Sequence, residues 1–190
     1  MELNLKKKTF FVSGSSKGIG LEISKKLLEE NANVILNGRR KFYNLKKINS
    51  KINLKKIFYI SGDISKESTL NKLMTLLKKN KLKLNGIIAN AGELKKSYDF
   101  RDIRDFQWYL NKNFFTSYNL FLKFVNELKK NKGNIIFISS IASERDLNAP
   151  FGYACSKLLL NKLSNYIAKR YSSFGVKSNV ILPGNILHPS

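Results

Sequence analysis

The sequence predicts an α/β domain built on a doubly wound parallel sheet, with six strands in three layers (α/β/α). Three observations predict it. Short apolar runs alternate strictly with longer amphipathic ones. The short runs are almost continuously apolar, as strands covered on both faces must be. The glycines and polar residues that interrupt the pattern gather directly after the short runs, where an open α/β sheet carries its ligand crevice.

Phe10 to Val12, Val34 to Leu36, Ile57 to Ile60, Ile87 to Ala89, Ile135 to Ile138 and Val180 to Leu182 read as the six buried strands. Helical stripes lie between them. Ile19, Ile23, Leu27 and Leu28 form the first, and Leu70, Leu73, Leu76 and Leu77 the second. Phe106, Leu110, Phe114, Phe121 and Val125 mark one long helix from Asp102 to Lys130, and a last helix runs from Pro150 to Ser172. There is no internal repeat, low-complexity tract or Pro/Gly/Ser-rich linker. Residues 1–190 therefore read as one domain, long enough for a sizeable core.

Composition excludes some function classes. The net charge of +22 comes from lysines spread in pairs along the whole chain, mostly on the polar faces of helices. That distribution favours a solvated surface over a nucleic-acid face. The single cysteine, Cys155, excludes an internal disulfide and points to a reducing, cytoplasmic setting. No run approaches the roughly 20 apolar residues that span a bilayer. The lysine-rich start, Met1 to Lys8, is no signal peptide. The expected partner is a small molecule.

Three sets of residues carry chemistry. Ser13-Gly14-Ser15-Ser16-Lys17-Gly18-Ile19-Gly20 joins the first strand to the first helix. Glycines there bring backbone close to a phosphate, and the helix N-terminus adds free N–H groups and partial positive charge. After the second strand stands Arg39. An acidic residue there would accept from a ribose 2′-OH, whereas arginine accommodates a 2′-phosphate; Lys17 is within reach of the same group. NADP(H) is thus preferred, with NAD(H) the alternative. Finally, Tyr153 and Lys157 stand one helical turn apart, and Ser140 precedes the tyrosine by thirteen residues. A lysine cation about 5 Å from a phenol, at an effective dielectric of roughly 20, contributes about 3 kcal/mol and lowers the phenol pKa by about 2. With a serine hydroxyl sharing the substrate oxygen, the set suits proton transfer at a carbonyl or alcohol.

Taken together these residues resemble the short-chain dehydrogenase/reductase family, in order and over nearly the whole chain. The glycine loop matches, with Ser13 where threonine is more usual. Asp63-Ile64 resembles the family's adenine-side motif, and Asn90-Ala91-Gly92 its motif after the fourth strand. Asn113, Ser140, Tyr153 and Lys157 match the catalytic set, and Pro183-Gly184 the turn after the sixth strand. The resemblance implies a Rossmann-like, NADP(H)-dependent oxidoreductase that interconverts a carbonyl and an alcohol. It implies Tyr153 as acid and base, Lys157 lowering its pKa and binding the nicotinamide ribose, and Ser140 polarising the carbonyl. Asn113 would hold a water between Lys157 and solvent. The long and last helices would form a homo-dimer or homo-tetramer. Ser139 is expected to be structural, Cys155 a packed thiol, and His188 a departure from the usual threonine rather than a metal ligand, so no metal is expected.

The chain ends at Ser190, just past the sixth strand. The expectation is a shortened domain without the family's substrate lid and seventh strand. That leaves three readings: a normal enzyme cut short, a cofactor-binding module with weak or no turnover, or a chain completed by a partner.

Overall fold

The computed structural model describes residues 3–40, 53–95 and 97–186. His188 lies outside the described residues. The strands are β1 (Thr9–Val12), β2 (Asn33–Gly38), β3 (Ile57–Ser61), β4 (Leu84–Ala89), β5 (Asn134–Ile138) and β6 (Lys177–Ile181). They form one parallel sheet in the order β3-β2-β1-β4-β5-β6. The order reverses between β1 and β4, and in such sheets the ligand crevice opens at that switch point.

The helices are α1 (Gly18–Glu29), α2 (Glu67–Lys79), α3 (Ile103–Tyr109), α4 (Thr116–Asn131) and α5 (Phe151–Tyr171). Period-two alternation sends successive strand residues to opposite faces. Phe11, Ile35, Ile87, Ile135 and Phe137 pack with Leu73, Leu120, Phe124 and Leu160 in one core. Phe10, Val12, Val34, Leu36 and Ile88 pack with Leu28 and the half-buried Ile19, Ile23 and Leu27 of α1 in the other. The expected three layers result.

Two expectations need correction. The sixth strand is Lys177–Ile181, not Val180–Leu182, and it is not buried: Lys177, Asn179 and Ile181 are exposed. Among the described residues β6 pairs only with β5, and α5 covers one of its faces, so alternation leaves the other face open. The long helix is interrupted. Between α3 and α4, Leu110–Phe115 widen into a π-helical segment. Its cause is local. The Asn113 amide donates to the carbonyl of Tyr109, 3.1 Å away, and the Thr116 hydroxyl donates to that of Asn111 at 2.9 Å. These side chains compete with the backbone for the α-helical ladder. Such segments are frequent at functional sites.

Candidate active site

The loop after β1 is built around two small residues and one bracket. Gly14 has φ +62°, a conformation that favours glycine. Gly20 is buried beneath the loop; a Cβ there would lie 2.7 Å from the Gly14 carbonyl oxygen and 2.6 Å from Asn90 Nδ2. The Asn90 amide donates to the carbonyls of Ser13 and Gly14 at 3.0 and 3.1 Å, which ties β4 to the loop. Ser13 Oγ accepts from the N–H groups of Asn90 and Ala91, both at 3.0 Å. From the other side, buried Asn37 accepts from the Gly14 N–H at 3.3 Å and donates to the carbonyls of Ile60 and Gly62 at 3.1 Å. The loop is thus held by β2, β3 and β4 together.

The loop meets α1 at Lys17, which caps the helix without a side-chain hydrogen bond, and no acidic residue stands in the first turn. The first-turn N–H groups therefore lack a side-chain acceptor, which is the electrostatic condition for an anion. A dinucleotide pyrophosphate fits this donor set. Lys17, Ser16 and Gly14 line one half of a groove with Arg39, Asp63, Ile64, Ala91 and Lys112. The other half is lined by Ile19, Asn113, Ser140, Tyr153, Lys157, Pro183 and Gly184. Asn90, Gly92 and Glu93 line both halves, so the groove is continuous over the carboxyl ends of the strands. Gly18, with φ +59°, begins α1 and lines neither half.

Tyr153 reaches the groove because Gly152 lets α5 approach α3. A Cβ on Gly152 would fall 2.9 Å from the Tyr109 ring and 3.2 Å from Phe106 Cα. The Tyr153 ring packs edge-on against Tyr109, with centroids 6.2 Å apart. One turn further along α5, Lys157 is 5% exposed and donates from Nζ to the Ile138 carbonyl at 2.9 Å. Nζ lies 5.6 Å from the Tyr153 ring centroid. Burial pushes the Lys157 ammonium down to about 8. Ser139 donates to the Lys157 carbonyl at 2.9 Å, the structural role expected of it. Ser140 accepts from the Ala142 N–H at 3.2 Å and caps a short 3₁₀ turn, Ile141–Ser143.

Asn113 is fully buried, and its amide is committed. It donates to the carbonyl of Glu93 at 3.1 Å and accepts from the N–H of the same residue at 3.0 Å. Gly92 marks the convergence, since a Cβ there would sit 2.5 Å from Asn113 Oδ1 and 3.3 Å from Lys157 Nζ. On the other half, Asp63 accepts from the Ser65 N–H and hydroxyl at 2.9 and 2.7 Å. Burial alone would raise its carboxyl; the Ser65 hydrogen bonds, with Lys112 and Arg39 nearby, bring it below its ordinary value. Cys155 is half-buried, and burial pushes its thiol up, away from the reactive thiolate.

Sequence reasoning missed Asn37, Glu93, Lys112 and Thr116. Asn37 had a signal, a polar residue closing an apolar strand. Lys112 adjoins Asn113 and stands four residues before Thr116 on the same helix face. Glu93 carried no signal beyond following Asn90-Ala91-Gly92.

A six-stranded parallel sheet, its switch point and a continuous groove across it define a Rossmann-like domain with its ligand crevice. The chain belongs to the short chain dehydrogenase family, whose family model matches residues 8–189. This is a family of oxidoreductases that use NAD(P)(H), in general to interconvert carbonyls and alcohols. It is 32% identical over 186 residues to the benzil reductase ((S)-benzoin forming) IRC24 of Saccharomyces cerevisiae, covering 93% of this chain and 71% of that protein. It is 33% identical over 194 residues to the tropinone reductase homolog At1g07440 of Arabidopsis thaliana, covering 98% of this chain and 71% of that protein. The crystal structure of Cj0485 dehydrogenase superposes with a TM-score of 0.90 at 21% identity, over 100% of this chain and 73% of that chain. That likeness speaks to the fold. Among the described residues no helix is long and apolar enough to cross a membrane.

Proposed function

We propose that the chain is a cytoplasmic, NADP(H)-dependent oxidoreductase that interconverts a ketone and an alcohol, with Tyr153 as acid and base. The observation that carries this reading is the meeting of Ser140, Tyr153, Lys157 and Asn113 in one groove with the glycine loop. When bound, the cofactor supplies the hydride chemistry. The residues supply the rest. Tyr153 gives a proton to the substrate oxygen in reduction and takes one in oxidation. Lys157, charged below its pKa of about 8, holds a cation 5.6 Å from the Tyr153 ring centroid. Ser140 donates to the same oxygen and orients the carbonyl. Asn113 fixes the Gly92-Glu93 backbone beside Lys157, and the water expected between Lys157 and solvent belongs at this junction. The yeast relative's name describes such a reaction, benzil to (S)-benzoin.

Tyr153→Phe removes the transferable proton and keeps the ring against Tyr109. Turnover of a ketone panel, followed at the reduced-nicotinamide absorbance, should fall by about 10²- to 10⁴-fold. Equal rates in both proteins would exclude the mechanism.

Arg39 and Lys17 on the other half of the groove support NADP(H) over NAD(H). For assembly, the exposed Leu122 of α4 with Leu158, Leu159 and Tyr166 of α5 support a homo-dimer or homo-tetramer through these helices. Light scattering on a Leu122→Lys/Leu159→Lys variant should give monomer mass. An unchanged mass would remove these helices from the interface.

A further inference from the structure

The 2′-phosphate reading treats Arg39 as a cation waiting for an anion, but Arg39 already has one. Its Nη1 lies 3.0 Å from Glu93 Oε1, with side chains 66% and 35% exposed. Lys112 Nζ lies 3.7 Å from the same Glu93 oxygen and 3.7 Å from Asp63 Oδ2. A chain of alternating charge, Arg39–Glu93–Lys112–Asp63, thus runs along the half-groove assigned to the adenosine end. Glu93 is not free to leave as a whole residue. The Asn113 amide grips its N–H and carbonyl, so only its side chain turns.

We propose that Glu93 is a specificity-determining residue that competes with the cofactor's 2′-phosphate for Arg39. This rests on the NADP(H) reading above. A phosphate dianion reaching Arg39 meets a carboxylate already paired with it, and must displace or tolerate that charge. A ribose bearing only a 2′-OH carries no such penalty, and the same carboxylate accepts its hydrogen bond. Glu93 therefore narrows the preference for NADP(H) that Arg39 creates, and leaves NAD(H) a usable ligand. Lys112, bridging Glu93 and Asp63, is the cation available to the displaced carboxylate.

The test is a double-mutant cycle read by binding, with dissociation constants from the fluorescence of the reduced nicotinamide at fixed low salt. Glu93→Gln keeps the shape and removes the charge. It should tighten NADPH by about five- to tenfold and change NADH by less than about twofold in the weakening direction. In an Arg39→Ala background the same change should gain nothing for NADPH. Glu93→Ser, which cannot reach Arg39, should repeat the gain. If Arg39→Ala weakens NADPH selectively while Glu93→Gln and Glu93→Ser leave it unchanged or weaker, the role of Glu93 is overturned and the NADP(H) reading stands. If Arg39→Ala weakens both cofactors equally, Arg39 is not the phosphate contact and both fall.

Discussion

Lys157→Met should cut turnover sharply and yet raise the melting temperature at pH 7. The ammonium is 5% exposed, and burial lowers its pKa from 10.5 to about 8. The difference, 10.5 − 8 = 2.5, corresponds to about 3 kcal/mol spent in holding the charge in the folded state. Methionine is an unbranched side chain of similar length and carries no charge. It leaves the Ile138 carbonyl without this donor, a loss of about 1 kcal/mol. The net gain of about 2 kcal/mol corresponds to about 4–8 °C in a chain of this size. The pH dependence carries the sign. Between pH 8 and 10.5 the unfolded state binds more protons at this lysine, so wild-type stability rises with pH across that window. The penalty is complete below pH 8, and the advantage of methionine should shrink toward pH 10.5. Thermal melts at pH 7 and 10 would decide it. A variant melting below wild type at pH 7 would mean that the hydrogen bond outweighs desolvation. Turnover should fall by at least about 10²-fold, because the cation beside the Tyr153 ring is gone. A residue that costs stability where it serves chemistry is a familiar exchange.

Asn113→Ala should destabilise the fold by about 3 kcal/mol, which a urea midpoint would read directly. The side chain is fully buried and partners three backbone groups: the Glu93 N–H, the Glu93 carbonyl and the Tyr109 carbonyl. Unpartnered buried groups cost about 1–3 kcal/mol each; those at Glu93 lie partly in water, which trims the sum. The loss should be local as well as global. Hydrogen exchange at the Glu93 amide should accelerate by at least about tenfold, since its acceptor is gone. A loss under about 1 kcal/mol with unchanged exchange would show that the π segment holds without its amide.

Much of this was legible from the chain. Strand and helix order, the glycine loop, Asn90 and the Ser140–Tyr153–Lys157 spacing are local patterns, and periodicity reads them well. The misses have physical reasons. Val180-Ile181-Leu182 is the most apolar run near β6, yet the strand is Lys177–Ile181. Pairing with β5 and docking of Ser178 and Val180 against α5 outweigh hydrophobicity there. The π segment was invisible because Leu110, Phe114 and Phe121 keep a helical stripe through it. The distortion comes from where Asn113 and Thr116 send their hydrogen bonds. Glu93 was missed because its partner, Arg39, stands 54 residues earlier in the chain, and only the sheet brings the two together.

By itself the sequence determined the α/β class, the strand-end crevice and the residue types within it. Those follow from short-range periodicity and from motifs whose spacing lies within one turn or one loop. Only the tertiary structure decided that Lys157 is buried hard enough to shift its proton, that Asn113 grips Glu93, and that Glu93 stands against Arg39. Burial and ion pairing depend on which distant segments meet, and the sheet order sets those meetings.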